Sequence, residues 1–181
     1  IQAGHELVLR ARLADAAFFW ETDRRQALAD RAPALRNVLF QEKLGSYDEK
    51  SRRVLELLPR LAEALGRREW LADLDTAARM YKCDLITEMV KEFTDLQGVV
   101  GGLYARAEGY PETVWRAVYE QYYPKSTASP SPSTGHGAVL ALADRLDTVT
   151  GCFAIGLVPS GSGDPFAVRR QGNGILKILF D

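Results

Sequence analysis

Histidine is almost missing from this chain of 181 residues: His5 and His136 are the two it has. Without more imidazole, a zinc-type site or a nucleophile paired with a histidine base has little to be built from. Cysteine is equally sparse. Cys83 and Cys152 lie far apart inside apolar segments, with neither metal spacing nor a paired framework, which reads as two buried thiols in a reducing, cytoplasmic setting. No apolar run approaches the roughly 20 residues a membrane span needs, and the N-terminus has no basic stretch followed by an apolar one. Charge of one sign is also lacking, since the formal net charge is -1 with 26% charged residues. Any contact with nucleic acid must therefore come from a local basic patch. Alternating strand patterns are absent as well, so the fold class expected is all-α.

What the chain does have is helical periodicity. Leu9, Leu13, Ala16, Ala17 and Trp20 define one face of a first helix, with Pro33 suited to open a short second one that carries Leu35, Val38 and Leu39 inward. Ser46 and Glu49 have capping-box spacing before a stripe of Val54, Leu57, Leu58, Leu61 and Leu65. Gly66 is placed to stop that helix, and Pro59 to kink or divide it. Residues 77–90 read as one buried helix carrying Cys83 and Asp84. Gly98, Gly101 and Gly102 weaken the next helix by roughly 1 kcal/mol each relative to alanine, a cost that close helix approach would offset. Val114, Trp115, Val118 and Tyr122 face inward from an aromatic-rich helix. Residues 124–137 contain no apolar side chain larger than alanine and are expected to form a mobile loop. A helix over 138–153 follows, then a turn at 156–163, then a last helix with Asp164 as cap and Pro165 as first residue. With a 46% hydrophobic content the whole of 1–181 reads as a single domain. Residues 1–5 read as the tail end of a preceding one, since the chain lacks an initiator Met and looks like a piece cut from something larger.

Several segments then agree in order and spacing: 4–19, Phe40-Gln-Glu-Lys-Leu-Gly45, Lys82-Cys-Asp-Leu-Ile-Thr-Glu-Met-Val90, Phe93-Thr-Asp-Leu-Gln-Gly98 and Gly163-Asp-Pro-Phe-Ala-Val-Arg-Arg170. Together they resemble the HD-like domain of the β subunit of bacterial glycyl-tRNA synthetase, over nearly the whole chain. Gln171-Gly-Asn-Gly174 is an unusual opening to the last helix by that comparison, and the Ser-Pro-rich loop holds more proline than expected. The resemblance implies an HD-domain-like helical bundle within an α2β2 enzyme. Its α subunit makes glycyl-adenylate using ATP and magnesium, and its β subunit binds tRNA. No cofactor is implied for this fragment itself. The partners implied are the acceptor arm of tRNA, the α subunit and the other β-subunit domains.

HD-type hydrolases hold divalent metals with His, His-Asp and a distal Asp. The positions here that resemble those ligands are Gln41, Cys83, Asp84 and Asp144, a degenerate set with no histidine. A neutral amide and a thiolate beside two carboxylates suit neither magnesium nor manganese. Asp84 and Asp144 are expected to be satisfied structurally, by Lys82, Arg79, Arg145 or backbone amides. Cys83 lacks a base for nucleophilic chemistry, and Gly161-Ser-Gly-Asp164 lacks the Lys and Ser/Thr of a P-loop. The candidate RNA-binding residues are Arg169 and Arg170, with free backbone amides nearby, and more weakly Arg145 and Lys43. Against them stands the expectation that the two arginines pair with Asp144, Asp147 or Asp164. Two rival functions remain: a metal-dependent phosphohydrolase acting on nucleotides or RNA ends, and a domain that only packs against its neighbours.

Overall fold

The computed structural model describes residues 2–160 and 163–181, so Gly161 and Ser162 of the glycine-rich turn lie outside the described residues. The fold is all-α, apart from one antiparallel hairpin of β1 (Leu39–Gln41) and β2 (Gly45–Ser46). Helix α1 (Gln2–Asp23) meets the core through its C-terminal part only. Ala16, Phe19 and Trp20 pack inward, and Trp20 stacks on Tyr104 at 4.9 Å. Leu9 and Leu13, expected to face the core, are 62% and 69% exposed, because α1 packs on the core further along, at Ala16, Phe19 and Trp20. Asp23 closes α1 and does a second job. Its two carboxylate oxygens accept from the Glu88 and Met89 amides at 2.9 Å, capping the short helix that begins there.

A 3-10 helix over Ala29–Asn37 carries Pro33 inside it rather than at its start and buries Leu35. Helix α2 (Tyr47–Ala64) begins with the capping box of Ser46 and Glu49 and runs through Pro59 without division. It ends as its composition requires. Gly66, at φ +65°, lets its own amide reach Glu63 O at 3.0 Å and that of Arg67 reach Ala62 O at 2.7 Å.

Residues 77–90 are not one helix. Helix α3 (Leu71–Met80) stops, Cys83–Ile86 form a 3-10 turn, and α4 (Glu88–Glu92) restarts behind Thr87, whose hydroxyl accepts from Val90 N at 3.3 Å. Breaking the helix here presents Lys82 and Asp84 to different neighbours, as described below. Helices α5 (Val99–Ala107) and α6 (Glu112–Glu120) pack against each other, with α6 also against α3 and α7 (Gly135–Ala154). Helix α7 runs through the middle of the molecule, buried along most of its length, and α8 (Val168–Phe180) lies along it.

Helix α7 starts at Gly135, three residues before the expected point. His136 therefore belongs to its first turn, buried and stacked on Trp70 at 4.8 Å. The loop before it is short of apolar residues, as expected, but it is tied down by polar contacts. Glu120 accepts from Ser133 N at 2.9 Å and from its hydroxyl at 2.5 Å, and Asp181 accepts from Ser131 at 2.6 Å. Helix α8 starts three residues later than Pro165. Asp164 still caps it, accepting from Val168 N at 2.7 Å and Arg169 N at 3.0 Å.

The glycine pair in α5 shows the close approach expected of it. A methyl group added at Gly102 would stand 2.4 Å from Tyr119 Cβ and 2.6 Å from its Cα on α6, so the two backbones touch where only hydrogen fits. Gly172, inside α8, has nothing within 4 Å of the same position. Gly102→Ala is expected to cost about 1–3 kcal/mol by overpacking. Gly172→Ala is expected to add about 0.5–1 kcal/mol from helix propensity. Urea denaturation of the two variants checks both signs.

Candidate functional site

The site is built on one face of α7. Asp144, Asp147 and Thr148 follow helical spacing (i, i+3, i+4) and point together toward the first turn of α2. From that turn Lys50, 2% exposed, brings an ammonium into them. Its Nζ donates to Thr148 Oγ1 at 2.8 Å, to Asp147 Oδ2 at 3.0 Å and to the Asp144 carbonyl at 3.0 Å, and stands 3.2 Å from Asp144 Oδ1. The Phe40 ring covers it with a centroid distance of 4.7 Å. A second ammonium arrives from the turn after α3. Lys82 Nζ lies 3.4 Å from both oxygens of Asp144, between the rings of Tyr81 and Tyr122. Tyr81 donates its hydroxyl to Asp144 Oδ1 at 3.0 Å, and Arg53 donates to Asp147 Oδ1 at 2.6 Å.

These contacts set the charge states. Burial alone would push the Asp144 carboxyl up, but the Lys50 and Lys82 ammoniums and the Tyr81 hydroxyl outweigh it and hold the group down at about 2. Burial pulls Lys82 down to about 8, with Asp144 opposing. Asp84 lives differently. It is fully buried, and its Oδ2 accepts from Gly98 N at 2.5 Å while Oδ1 has no partner. Burial pushes its carboxyl up to about 6, against the pull of the Gly98 amide and of Lys82. Beside it, the Cys83 thiol donates to Arg79 O at 3.7 Å, and burial followed by the Asp84 charge raises it to about 12. That thiol stays protonated at neutral pH and is poorly suited to bind metal or attack a carbonyl.

The residues named from sequence are thus only partly brought together. Asp84 and Asp144 both act on the Lys82 ammonium, Cys83 turns its thiol to Arg79 O, and Gln41 Oε1 accepts from Lys43 N at 2.6 Å and Leu44 N at 3.0 Å and so serves its own hairpin turn. Arg79 pairs with Asp75 rather than with either buried aspartate. Two ammoniums stand where a divalent cation would have to sit, and no three His, Cys, Asp or Glu side chains among the described residues are grouped to hold one. The donor set does not fit the metal of an HD-type hydrolase. Lys50 escaped the sequence reading because a lysine in the first turn of a capped helix looks solvated. The signal that pointed to it was the Asp144, Asp147, Thr148 spacing, which demands a cation opposite.

Of the RNA-binding candidates, Arg169 and Arg170 are exposed on the first turn of α8 and Lys43 is exposed on the hairpin. The free amides expected near the arginines are taken by Asp164. Asp144 and Asp147 pair with Lys50, Lys82 and Arg53 instead of with Arg169 and Arg170. Arg145 is 4% exposed and donates to Gln171 Oε1, Tyr122 O and Pro124 O at 2.6–3.0 Å.

Fold and site together define an all-α domain whose central acidic face is closed by lysines. Comparison with known proteins then places it. The family model described as glycyl-tRNA synthetase beta subunit matches residues 1–181, and the chain belongs to that family. The chain is 50% identical over 179 residues to the glycine–tRNA ligase beta subunit of Chromohalobacter salexigens, covering 97% of this chain and 25% of that one. The corresponding subunits of Halothermothrix orenii and Vibrio cholerae are 46% and 48% identical over 182 and 184 residues, with 100% of this chain and 26% of each relative covered. The chain therefore spans about a quarter of the length of the curated relatives it matches.

Lys50→Met leaves Asp144 and Asp147 buried with less positive charge and is expected to cost about 3–5 kcal/mol. It also weakens the pull that holds Asp144 low, so acid unfolding, followed by circular dichroism, is expected to begin at higher pH than in wild type. Asp84 behaves in the opposite sense. Its carboxyl binds a proton more tightly in the folded chain than in the unfolded one, so its contribution falls as pH rises from about 4 to about 6, by about 3 kcal/mol. Asp84→Asn cannot titrate. The drop in urea midpoint between pH 4 and pH 6 is expected to shrink in that variant, and an unchanged drop would show that Asp84 is not the group responsible.

Proposed function

We propose that this domain is a non-catalytic, HD-domain-like module of a glycine–tRNA ligase beta subunit that helps to hold the acceptor arm of tRNA. In this reading the alpha subunit, with ATP and magnesium, activates glycine and attaches it in the cytoplasm, and the domain contributes contacts rather than chemistry. The observation that carries the reading is the match to the beta-subunit family across all 181 residues. The donor chemistry of the acidic face supports the non-catalytic part, because Lys50 and Lys82 oppose the binding of a divalent cation there. The exposed pair Arg169 and Arg170, with Lys43 as a weaker candidate, supplies positive charge suited to phosphate. Acceptor-stem RNA is gripped through backbone and shape, so such contacts are dispersed and sensitive to salt.

A packing role has its own support. Leu7, Leu9 and Leu13 on α1 and Leu176, Leu179 and Phe180 on α8 are more than half exposed, which is apolar surface that neighbouring domains could cover. Affinity for glycine-specific tRNA separates the two roles. In the full-length enzyme, Arg169→Glu with Arg170→Glu is expected to weaken binding about tenfold or more and to flatten the salt slope by about 2, one for each lost phosphate contact. Unchanged affinity and slope, measured by filter binding across a salt series, would favour packing.

A further inference from the structure

A cavity of about 350 Å³ opens between the turn at 94–97, the end of α6, the segment at 124–125 and the facing sides of α7 and α8. Asp144 forms part of its lining, with a carboxylate already engaged by Lys50, Lys82 and Tyr81. Two other side chains on that lining hold buried polar atoms with no hydrogen-bond partner: Nε of Arg145 and Oε1 of Gln121. Arg145 is 4% exposed and Gln121 1%.

Neither group is free to turn away. Gln121 Nε2 donates to the carbonyls of Tyr81 and Val118, so the amide cannot flip and the unpartnered atom is an acceptor. The two Nη atoms of Arg145 are committed to Gln171 Oε1 and to the Tyr122 and Pro124 carbonyls, all neutral. Among the described residues no carboxylate lies within ion-pairing distance of that guanidinium. A buried guanidinium with no carboxylate in ion-pairing reach and its Nε–H unspent is an incomplete arrangement that an incoming anion would complete. Arg170 and Lys125 are exposed on the same lining, and Asp95 is the lining's one carboxylate outside an ion pair.

From this we infer that the cavity binds a single nucleotide, with Arg145 Nε and Arg170 on its phosphoryl oxygens and Gln121 Oε1 accepting from a hydroxyl or amino hydrogen of the nucleoside. The ligand class follows from the lining. A donor beside surplus positive charge suits an oxyanion, and a fixed acceptor suits a hydrogen on the same ligand. The volume lies at the small end of ligand sites and excludes a duplex. The nucleotide is either free or an unpaired residue of RNA, and only the second source rests on the tRNA reading above.

Equilibrium dialysis of the full-length beta chain, prepared without the alpha chain, tests the site with labelled AMP. One AMP per chain is expected, displaced by inorganic phosphate, with adenosine held about tenfold more weakly or worse. Arg170→Gln is expected to weaken AMP about tenfold, and Arg145→Lys, which keeps the charge but loses the fork, at least as much. Arg60→Gln, on the exposed side of α2, serves as the unaffected control. Displacement of AMP by a short single-stranded oligoribonucleotide assigns the site to RNA, and retention of AMP assigns it to a free nucleotide. Either outcome supports the cavity. Failure of wild type to take up AMP or the oligoribonucleotide, or uptake indifferent to both arginine variants, overturns it. The two readings fail separately: salt-sensitive tRNA binding with an empty cavity sinks this inference alone, and AMP uptake with tRNA affinity unmoved by the Arg169 and Arg170 reversals sinks the other.

Discussion

The ammonium of Lys50 is the contact on which the arrangement depends. It leaves the first turn of α2, crosses to α7 and is received by three side chains and a carbonyl within 3.2 Å. Taking such a group out of water costs several kcal/mol, and the geometry offsets that only because every receiving atom is an oxygen already fixed on α7. Lys82 adds a second positive charge to the same carboxylate from the end of α3. Three elements distant in sequence are thereby tied at one point, and α7 cannot shift along α2 without uncovering a charge. The chain supplies from its own side chains the positive charge that balances these carboxylates.

Asp84 shows why proximity is not equivalence. It lies in the same buried region, yet its direct partners are backbone amides and one of its oxygens has none, so its carboxyl rises to about 6 while that of Asp144 falls to about 2. The helix break between α3 and α4 produces the difference. In a continuous helix the amide of Gly98 could not meet Asp84, and Lys82 would follow the helical surface instead of turning into α7. Gly101 belongs to the same arrangement, because a methyl group added there would stand 3.1 Å from Asp84 Cγ. The glycines of α5 therefore admit two neighbours at once, a carboxyl on one side and the backbone of α6 on the other.

Much of the fold was legible in the sequence, since the Ser46–Glu49 capping box, the Gly66 stop and the stripe of α2 are local signals and acted locally. The errors came where tertiary contact overrode period. Leu9 and Leu13 have helical spacing but stay exposed, and residues 77–90 have a helical pattern that the structure breaks at the 3-10 turn carrying Asp84. The loop before α7 is short of apolar residues, yet Glu120 and Asp181 hold it by hydrogen bonds that composition does not reveal. For the site, the carboxylates were found and one of their two lysines with them. Lys50 stayed hidden because its partners lie nearly a hundred residues away, and nothing local distinguishes a lysine bound for the interior from a solvated one.

The near-zero net charge bears on how such a domain engages anything negative. At -1 it has little long-range attraction to offer, so affinity must come from charges held in place before the ligand arrives. Arg145 is held in that way: three neutral acceptors fix its guanidinium, and Gly174 packs so closely on it that an added methyl group would stand 2.7 Å from Nη1. The entropy of ordering that side chain is already spent in folding, which a flexible surface lysine such as Lys43 would have to lose on binding. A guanidinium positioned in advance therefore favours a small, well-defined anion, while an exposed arginine outside the cavity lining, such as Arg169, suits an extended and variable one. That difference follows from burial, and Arg170, exposed yet on the cavity lining, stands at the border between the two.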